Sequence, residues 1–415
     1  MDRGTADVTA RRSATGRGGR SSLDAGLLAP ALSVAGLIVV GLLSLGLLTG
    51  NLPALPGGLG SSGNGGPSRT ATPSNVVIVD PRADVPGTIV YVKAGNVWLQ
   101  HGNRADQLTT GGRDSMASFS PDGAWVYFVR TTPEAGRWRI NGAARRFRLA
   151  TPTLMRIDPD GGSEPEALLT GRVTSGSFTW SYFLRQPAVS PDGTRVALVT
   201  DGPDPSKSDV VLQVLDLATL QLTRINAPEN EPLGHQDPVW SPDGRSIAYV
   251  QNARDGARGA PVIAVYDTTT GKARVLTGPG YTTPIWSHRG KYLAATRTTA
   301  FGTDVVILDG RGTELLRVTN DGRSFAPVWS PVGDAIAYLV IDHGVTDLWL
   351  APIDIAGLPI SEGERIQMTI SAGLDAGSRP DWWVPEDLIP TPPPTPTPPP
   401  IVGPSTTAAP ASPSP

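Results

Sequence analysis

Two stretches of this 415-residue chain concentrate the side chains that bind anions and sugars. Residues 131–152 carry Arg137, Trp138, Arg139, Arg145, Arg146, Phe147 and Arg148, with Glu134 as their only acid. Residues 171–186 carry Phe178, Trp180, Tyr182, Phe183 and Arg185. Guanidinium groups attract carboxylate, sulfate or phosphate, and aromatic faces stack on cations and sugar rings. If the two stretches meet, Arg137, Arg139, Arg145, Arg146 and Arg148 with Trp180, Tyr182 and Phe183 form a basic and aromatic lip. Such a lip suits an anionic or carbohydrate partner, an envelope polymer or an acidic peptide. The bland alternative is a pair of long loops whose aromatics pack on each other while the arginines stay solvated.

Other constellations are poorer in chemistry. Asp158-Pro159-Asp160-Gly161-Gly162-Ser163-Glu164 superficially resembles a calcium loop but lacks the full ligand run and the Glu at position twelve, so it reads as a turn. His101, His235, His288 and His343 are far apart and show no metal spacing. There is no Gly-x-Ser-x-Gly elbow. No metal and no cofactor is expected, and no enzyme. The competing enzyme reading is a polysaccharide hydrolase or lyase whose Asp or Glu residues converge from different parts of the chain.

The elements that must position these residues follow from a repeat. The chain reads Phe119-Ser120-Pro121-Asp122-Gly123, Val189-Ser190-Pro191-Asp192-Gly193, Trp240-Ser241-Pro242-Asp243-Gly244, Trp286-Ser287-His288-Arg289-Gly290 and Trp329-Ser330-Pro331-Val332-Gly333. Pro, Asp and Gly at these positions are turn chemistry, so each repeat joins two antiparallel strands. An inner strand precedes the turn, and an apolar strand buried on both faces follows it, as in residues 245–250, 291–296 and 335–340. A third strand and a fourth ending in Leu-Thr or Val-Thr complete a four-stranded unit, which is a propeller blade.

The serines are 70, 51, 46 and 43 residues apart, so the first full blade carries the extra sequence. Both stretches fall in connections on the face opposite the Pro-Asp-Gly turns. Arg379-Pro380-Asp381-Trp382-Trp383 repeats the inner-strand register without its turn, while residues 88–92, 96–100 and 105–109 are three strands lacking an inner one. The expectation is an all-β, six-bladed propeller over residues 87–384, closed by a blade shared between the two ends.

The Trp-Ser-Pro-Asp-Gly motif resembles that of the TolB-like, WD40-like PD40 propellers of bacterial envelopes, over about residues 87–384. His288-Arg289 and Val332 depart from it but keep the Gly. The resemblance implies protein partners at the cell envelope and a non-enzymatic binding or scaffolding role. TolB carries a separate α/β domain before its ring, where this chain has only a linker. Prolyl peptidases use similar propellers to gate a catalytic domain, for which this chain has no nucleophile elbow. A passive spacer without a ligand is the third reading.

Residues 26–48 contain no charge and, as a helix, span about 35 Å, enough to cross a bilayer. The length favours an uncleaved anchor over the competing cleaved signal peptide. Five arginines against three aspartates in residues 1–25 place that segment in the cytoplasm and the propeller outside. With no cysteine in the chain, a lipid-modified Cys anchor is excluded, leaving the helix to hold the protein in the membrane. Residues 49–86 read as a flexible Gly/Ser/Pro linker, and 385–415 as a Pro/Thr-rich disordered tail. A net charge of −3 points to no nucleic-acid partner. A monomeric propeller is expected.

Overall fold

The computed structural model describes residues 82 and 84–390, apart from 103, 203–209, 226–233, 253–259 and 358. The predicted anchor at 26–48, most of the linker and the tail beyond 390 lie outside the described residues. Among the described residues no helix is long and apolar enough to cross a membrane.

Every sheet is antiparallel. Strands β1 (Thr88–Lys93), β2 (Asn96–His101) and β3 (Arg104–Gln107) come first. The next sheet holds β4 (Asp114–Phe119), β5 (Val126–Ile140), β6 (Ala143–Ile157), β7 (Glu166–Thr170), β8 (Arg172–Ser175) and β9 (Phe178–Ser181). Three regular blades follow. The first comprises β10 (Arg185–Val189), β11 (Arg195–Thr200), β12 (Val211–Asp216) and β13 (Leu222–Arg224). The second comprises β14 (His235–Trp240), β15 (Ser246–Gln251), β16 (Val262–Asp267) and β17 (Lys272–Val275). The third comprises β18 (Tyr281–Trp286), β19 (Tyr292–Thr299), β20 (Gly302–Asp309) and β21 (Glu314–Arg317). The sixth blade has β22 (Ser324–Trp329), β23 (Ala335–Asp342) and β24 (Val345–Asp354), with an outer strand broken into β25 (Ser361–Glu362) and β26 (Ile366–Gln367). Finally β27 (Asp381–Trp383) pairs with β1, Ile89 opposite Trp382, so the two ends of the ring share one blade. Inner strands contact one another in chain order around the axis. A six-bladed propeller therefore forms, closed as the repeat implies. Order continues past residue 384, through a 3-10 turn at Glu386–Leu388 to Ile389, which packs on the core.

Alternate residues of a strand point to opposite faces, and here each face meets a neighbouring blade. On β1, Ile89 and Tyr91 pack with Leu339, Leu348 and Leu350 of the sixth blade, whereas Val90 and Val92 pack with Phe128 and Met155 of the second. That explains the continuous apolar runs in strands that would alternate if one face met water.

The recurring polar residues clip each blade together. The Ser hydroxyl of the turn donates to the Asp carboxylate two residues on, at 2.5 Å for Ser190–Asp192 and 2.6 Å for Ser241–Asp243. The same oxygen accepts the backbone N–H five residues on, at 3.0 Å from Arg195 and 2.9 Å from Ser246. The hydroxyl donated by Ser190 is the main cause holding the Asp192 carboxyl down at about 2. The Thr of Leu108-Thr109, Leu276-Thr277, Val318-Thr319 and Met368-Thr369 stands just past the outer strand, where Thr109, Thr277, Thr319 and Thr369 Oγ1 accept the N–H of Val97, Ile263, Val305 and Leu348 at 2.9–3.0 Å. Ser287 and Ser330 lack the Asp: Ser287 Oγ still accepts the Tyr292 N–H at 3.1 Å, whereas with Val332 in place of Asp the buried Ser330 hydroxyl has no partner. Val332→Asp is expected to supply that acceptor and stabilise the protein by about 1 kcal/mol. Thermal unfolding checks this, and an unchanged or lower midpoint counts against it.

Candidate functional site

The two stretches singled out by composition both lie on the second blade, as hairpins rather than loops. β5 and β6 run in unbroken register from Val126↔Ile157 to Ile140↔Ala143, so 131–152 is the far half of one long hairpin. Its turn is Asn141-Gly142, with φ of 50° and 79°, the left-handed pair that a two-residue turn needs. β8 and β9 form a second hairpin whose Thr179 stands opposite Arg137 on the free side of β5. Since β5 starts at a Pro-Asp-Gly turn and crosses the ring, both hairpins stand on the other face.

Strand pairing sorts the side chains. Residues directly opposite in an antiparallel ladder share a face, so Arg137 with Arg146, Ala135 with Arg148, and Arg139 with Ala144 lie on one side. Trp138 with Arg145, Gly136 with Phe147, and Glu134 with Leu149 lie on the other. The apolar side is a small core. Trp138 meets Trp180 and Phe178 edge to face at centroid distances of 4.9 and 5.8 Å, and Leu149 is buried. A Cβ on Gly136 would come within 2.6 Å of Leu149 Cγ, so only Gly lets Leu149 and Phe147 lie across β5.

The structure thus brings the basic and the aromatic residues together on one unit, with Arg137, Arg139, Arg146 and Arg148 on one face and Arg145 on the other with the aromatics. Trp180 is half-buried against Trp138. Tyr182 is 7% exposed and donates its hydroxyl to the Thr170 carbonyl at 3.0 Å, which makes it part of the packing. Phe183 is exposed at 54%. All five arginines are exposed. Arg137, Arg145, Arg146 and Arg148 make no ion pair among the described residues, and Arg139 lies 5.9 Å from the Phe178 ring. Glu134, the one acid nearby, is taken up by the Thr151 hydroxyl at 3.2 Å and Arg172 at 3.4 Å. The same face of the ring also presents Phe301, 92% exposed in the turn between β19 and β20, which sequence reasoning passed over because it is a single aromatic outside any cluster.

The channel holds a second group of polar residues that the sequence did not single out. In β4, β10, β14, β18 and β22 the register slips at one place, where Met116, Gln186, Asp237, Thr283 and Ala326 take φ of 46–57°. These bulges turn backbone N–H groups along the ring. Gln186 N–H donates to Met116 Sδ at 3.2 Å, Asp237 N–H to Gln186 Oε1 at 3.0 Å, and Thr283 N–H to the Asp237 carboxylate. Thr283 and Thr296 share a hydroxyl hydrogen bond of 2.6 Å, and Thr296 Oγ1 accepts Ala326 N–H at 2.9 Å. Met116 N–H donates to Ser378 Oγ at 3.0 Å, which ties the belt to the closing blade. Arg379 occupies the matching position there and donates to the Pro284 carbonyl, two blades away, at 3.0 Å. Burial raises the Asp237 carboxyl above the usual range, with Arg379 the chief opposing influence. Burial likewise raises Asp381, whose oxygens accept N–H from Phe119 and Trp382 at 2.9 Å each. The histidines are scattered: His235 is buried against Tyr249, and His343 is exposed beside Asp342.

Six blades, serine-anchored turns and a closing blade made from both ends define a class of β-propeller. Residues 167–366 match the family model described as the TolB beta propeller domain, PD40, and they lie within a six-bladed ring. Among solved structures it is similar to TolB from Acinetobacter baumannii, with 18% identity and a TM-score of 0.51 over 72% of this chain and 67% of that one. A protein from Agrobacterium tumefaciens described as a TolB matches with 16% identity and a TM-score of 0.50 over 72% and 94% of the two chains. At these identities the likeness is one of fold. A curated relative, the uncharacterized peptidase YuxL of Bacillus subtilis (strain 168), is 28% identical over 135 residues. That segment is 32% of this chain and spans only 20% of the relative.

Proposed function

We propose that this protein is a membrane-anchored, extracytoplasmic propeller acting as a non-enzymatic binding or scaffolding module for an envelope protein or an anionic polymer. The observation that carries the reading is the face formed by Arg137, Arg139, Arg146 and Arg148, exposed and without an acidic partner among the described residues. Such a surface raises the local concentration of anions and speeds their capture. The chain enters β1 on the side of the Pro-Asp-Gly turns, opposite the face that carries the arginines.

The alternative, a polysaccharide hydrolase or lyase working in the channel, draws on Asp237 and Asp381. Both carboxylates already accept hydrogen bonds that hold the inner strands, which favours a structural role for them. A triple substitution on that face, Arg137→Ala with Arg146→Ala and Arg148→Ala, is expected to weaken binding to a sulfated polysaccharide or to polyglutamate by about tenfold or more, with a shallower salt dependence. Unchanged affinity for both probes removes the arginine face as the binding surface.

A further inference from the structure

The long hairpin has a free edge. β7 pairs with β6 only from Arg156 back to Thr153, and the Gly171 N–H extends that pairing to the Pro152 carbonyl at 2.7 Å. Among the described residues, 143–149 of β6 have no strand on that side. The backbone direction along the edge is fixed by the turn. In a two-residue hairpin the closing pair, here Ile140 and Ala143, is hydrogen-bonded, so alternate pairs 138/145, 136/147 and 134/149 are bonded too. The N–H and C=O groups of Ala144, Arg146 and Arg148 therefore point away from β5. The outward Pro152 carbonyl, and the Thr131 N–H donating to Arg113 on the opposite side of the hairpin, both obey this phase.

Exposed edges in natural sheets are usually blunted by a bulge, a proline or a cover. This one is regular from 143 to 149, contains no proline and is about 24 Å long. Its arginines prevent two copies from pairing edge to edge through like charge. They also make the isolated hairpin worse than it need be, because Arg137 stands directly opposite Arg146. A carboxylate beside that pair relieves the repulsion.

We propose that the β6 edge takes up an extended acidic polypeptide as an added strand, with backbone bonds to Ala144, Arg146 and Arg148 and a carboxylate at every second residue lying over the arginine face. The added strand's side chains on that face fall beside Arg146 and Arg148, with Arg137 and Arg139 one strand further in. This rests on the anionic-partner reading above and narrows it to a protein segment recognised through its backbone.

The probe is a nine-residue peptide alternating Glu and Val, tested on the full chain against three comparators. These are a peptide of the same composition with its glutamates blocked together, the alternating peptide N-methylated at the amides of one edge, and a sulfated polysaccharide of matched charge. The alternating peptide is expected to bind at least tenfold more tightly than the blocked or N-methylated ones and to slow hydrogen exchange at the amides of Ala144, Arg146 and Arg148. Ala144→Pro, which removes an outward N–H without touching the β5 ladder, is expected to weaken the alternating peptide about fivefold while leaving polysaccharide binding unchanged. Equal binding of all four ligands without amide protection overturns strand addition and leaves the anionic surface standing. Binding of none of them overturns both.

Discussion

Trp382→Ala is expected to cost about 3–5 kcal/mol, because a large buried side chain is removed from a site that cannot collapse around the gap. Trp382 is 5% exposed, packs in the core between the closing blade and the sixth, and donates its indole N–H to the Pro86 carbonyl at 2.9 Å. It belongs to β27, which among the described residues is the only strand that the C-terminal end contributes to the shared blade. Its loss therefore loosens the pairing of β27 with β1, and amide exchange at Ile89 and Val90 should accelerate together with a drop in the denaturation midpoint. A loss below about 1 kcal/mol with unchanged exchange would show that the ring holds without this seal.

The second large effect falls on Asp347→Ala. The carboxylate, at the start of the sixth blade's third strand, accepts the Thr369 hydroxyl at 2.8 Å and the N–H groups of Ser371 and Ala372 at 2.9 and 2.8 Å. It fastens the connection from the sixth blade toward β27. Asp304 does the same one blade earlier, accepting Gly322 N–H at 3.0 Å and pairing with Arg317. Truncation at Asp347 strands three donors, two of them on buried residues, for an expected loss of about 3 kcal/mol. Asp347→Asn keeps one acceptor oxygen and should recover part of it. Chemical denaturation of the two variants decides: equal stability of Ala and Asn would mean that the oxygen contacts carry little.

Much of the ring was legible because its chemistry repeats. Pro-Asp-Gly marks a turn wherever it occurs, and the Pro-x-Trp register betrayed β27 even without its turn. The long hairpin was less visible, since residues 133–148 mix Pro, Gly and five arginines and show no apolar alternation. Asn141-Gly142 was the available signal, a dipeptide that favours the observed turn. The separation of aromatics from arginines followed from register, which neither composition nor spacing reveals. The channel belt left only a positional mark: Gln186, Asp237, Thr283 and Ala326 each stand directly before a Pro of an inner strand, but their residue types differ. Met116, Gln186, Asp237, Thr283 and Ala326 share a left-handed backbone that none of their residue types prefers, held by hydrogen bonds between blades far apart in sequence.

The closing blade also determines how the protein answers to force. Thr88 and Trp383 face each other at the same end of the β1–β27 ladder, so both flanking segments leave the ring side by side, on the face of the Pro-Asp-Gly turns. A pull on the two together peels the strands apart from that end, loading one pair of bonds at a time instead of shearing the ladder as a whole. The Trp382 indole on Pro86 and the Trp383 indole on Pro121, at 2.9 and 3.2 Å, sit where such a peel begins. A load carried from the chain's start to the β5–β6 hairpin, by contrast, crosses the ring from face to face and spares the seam.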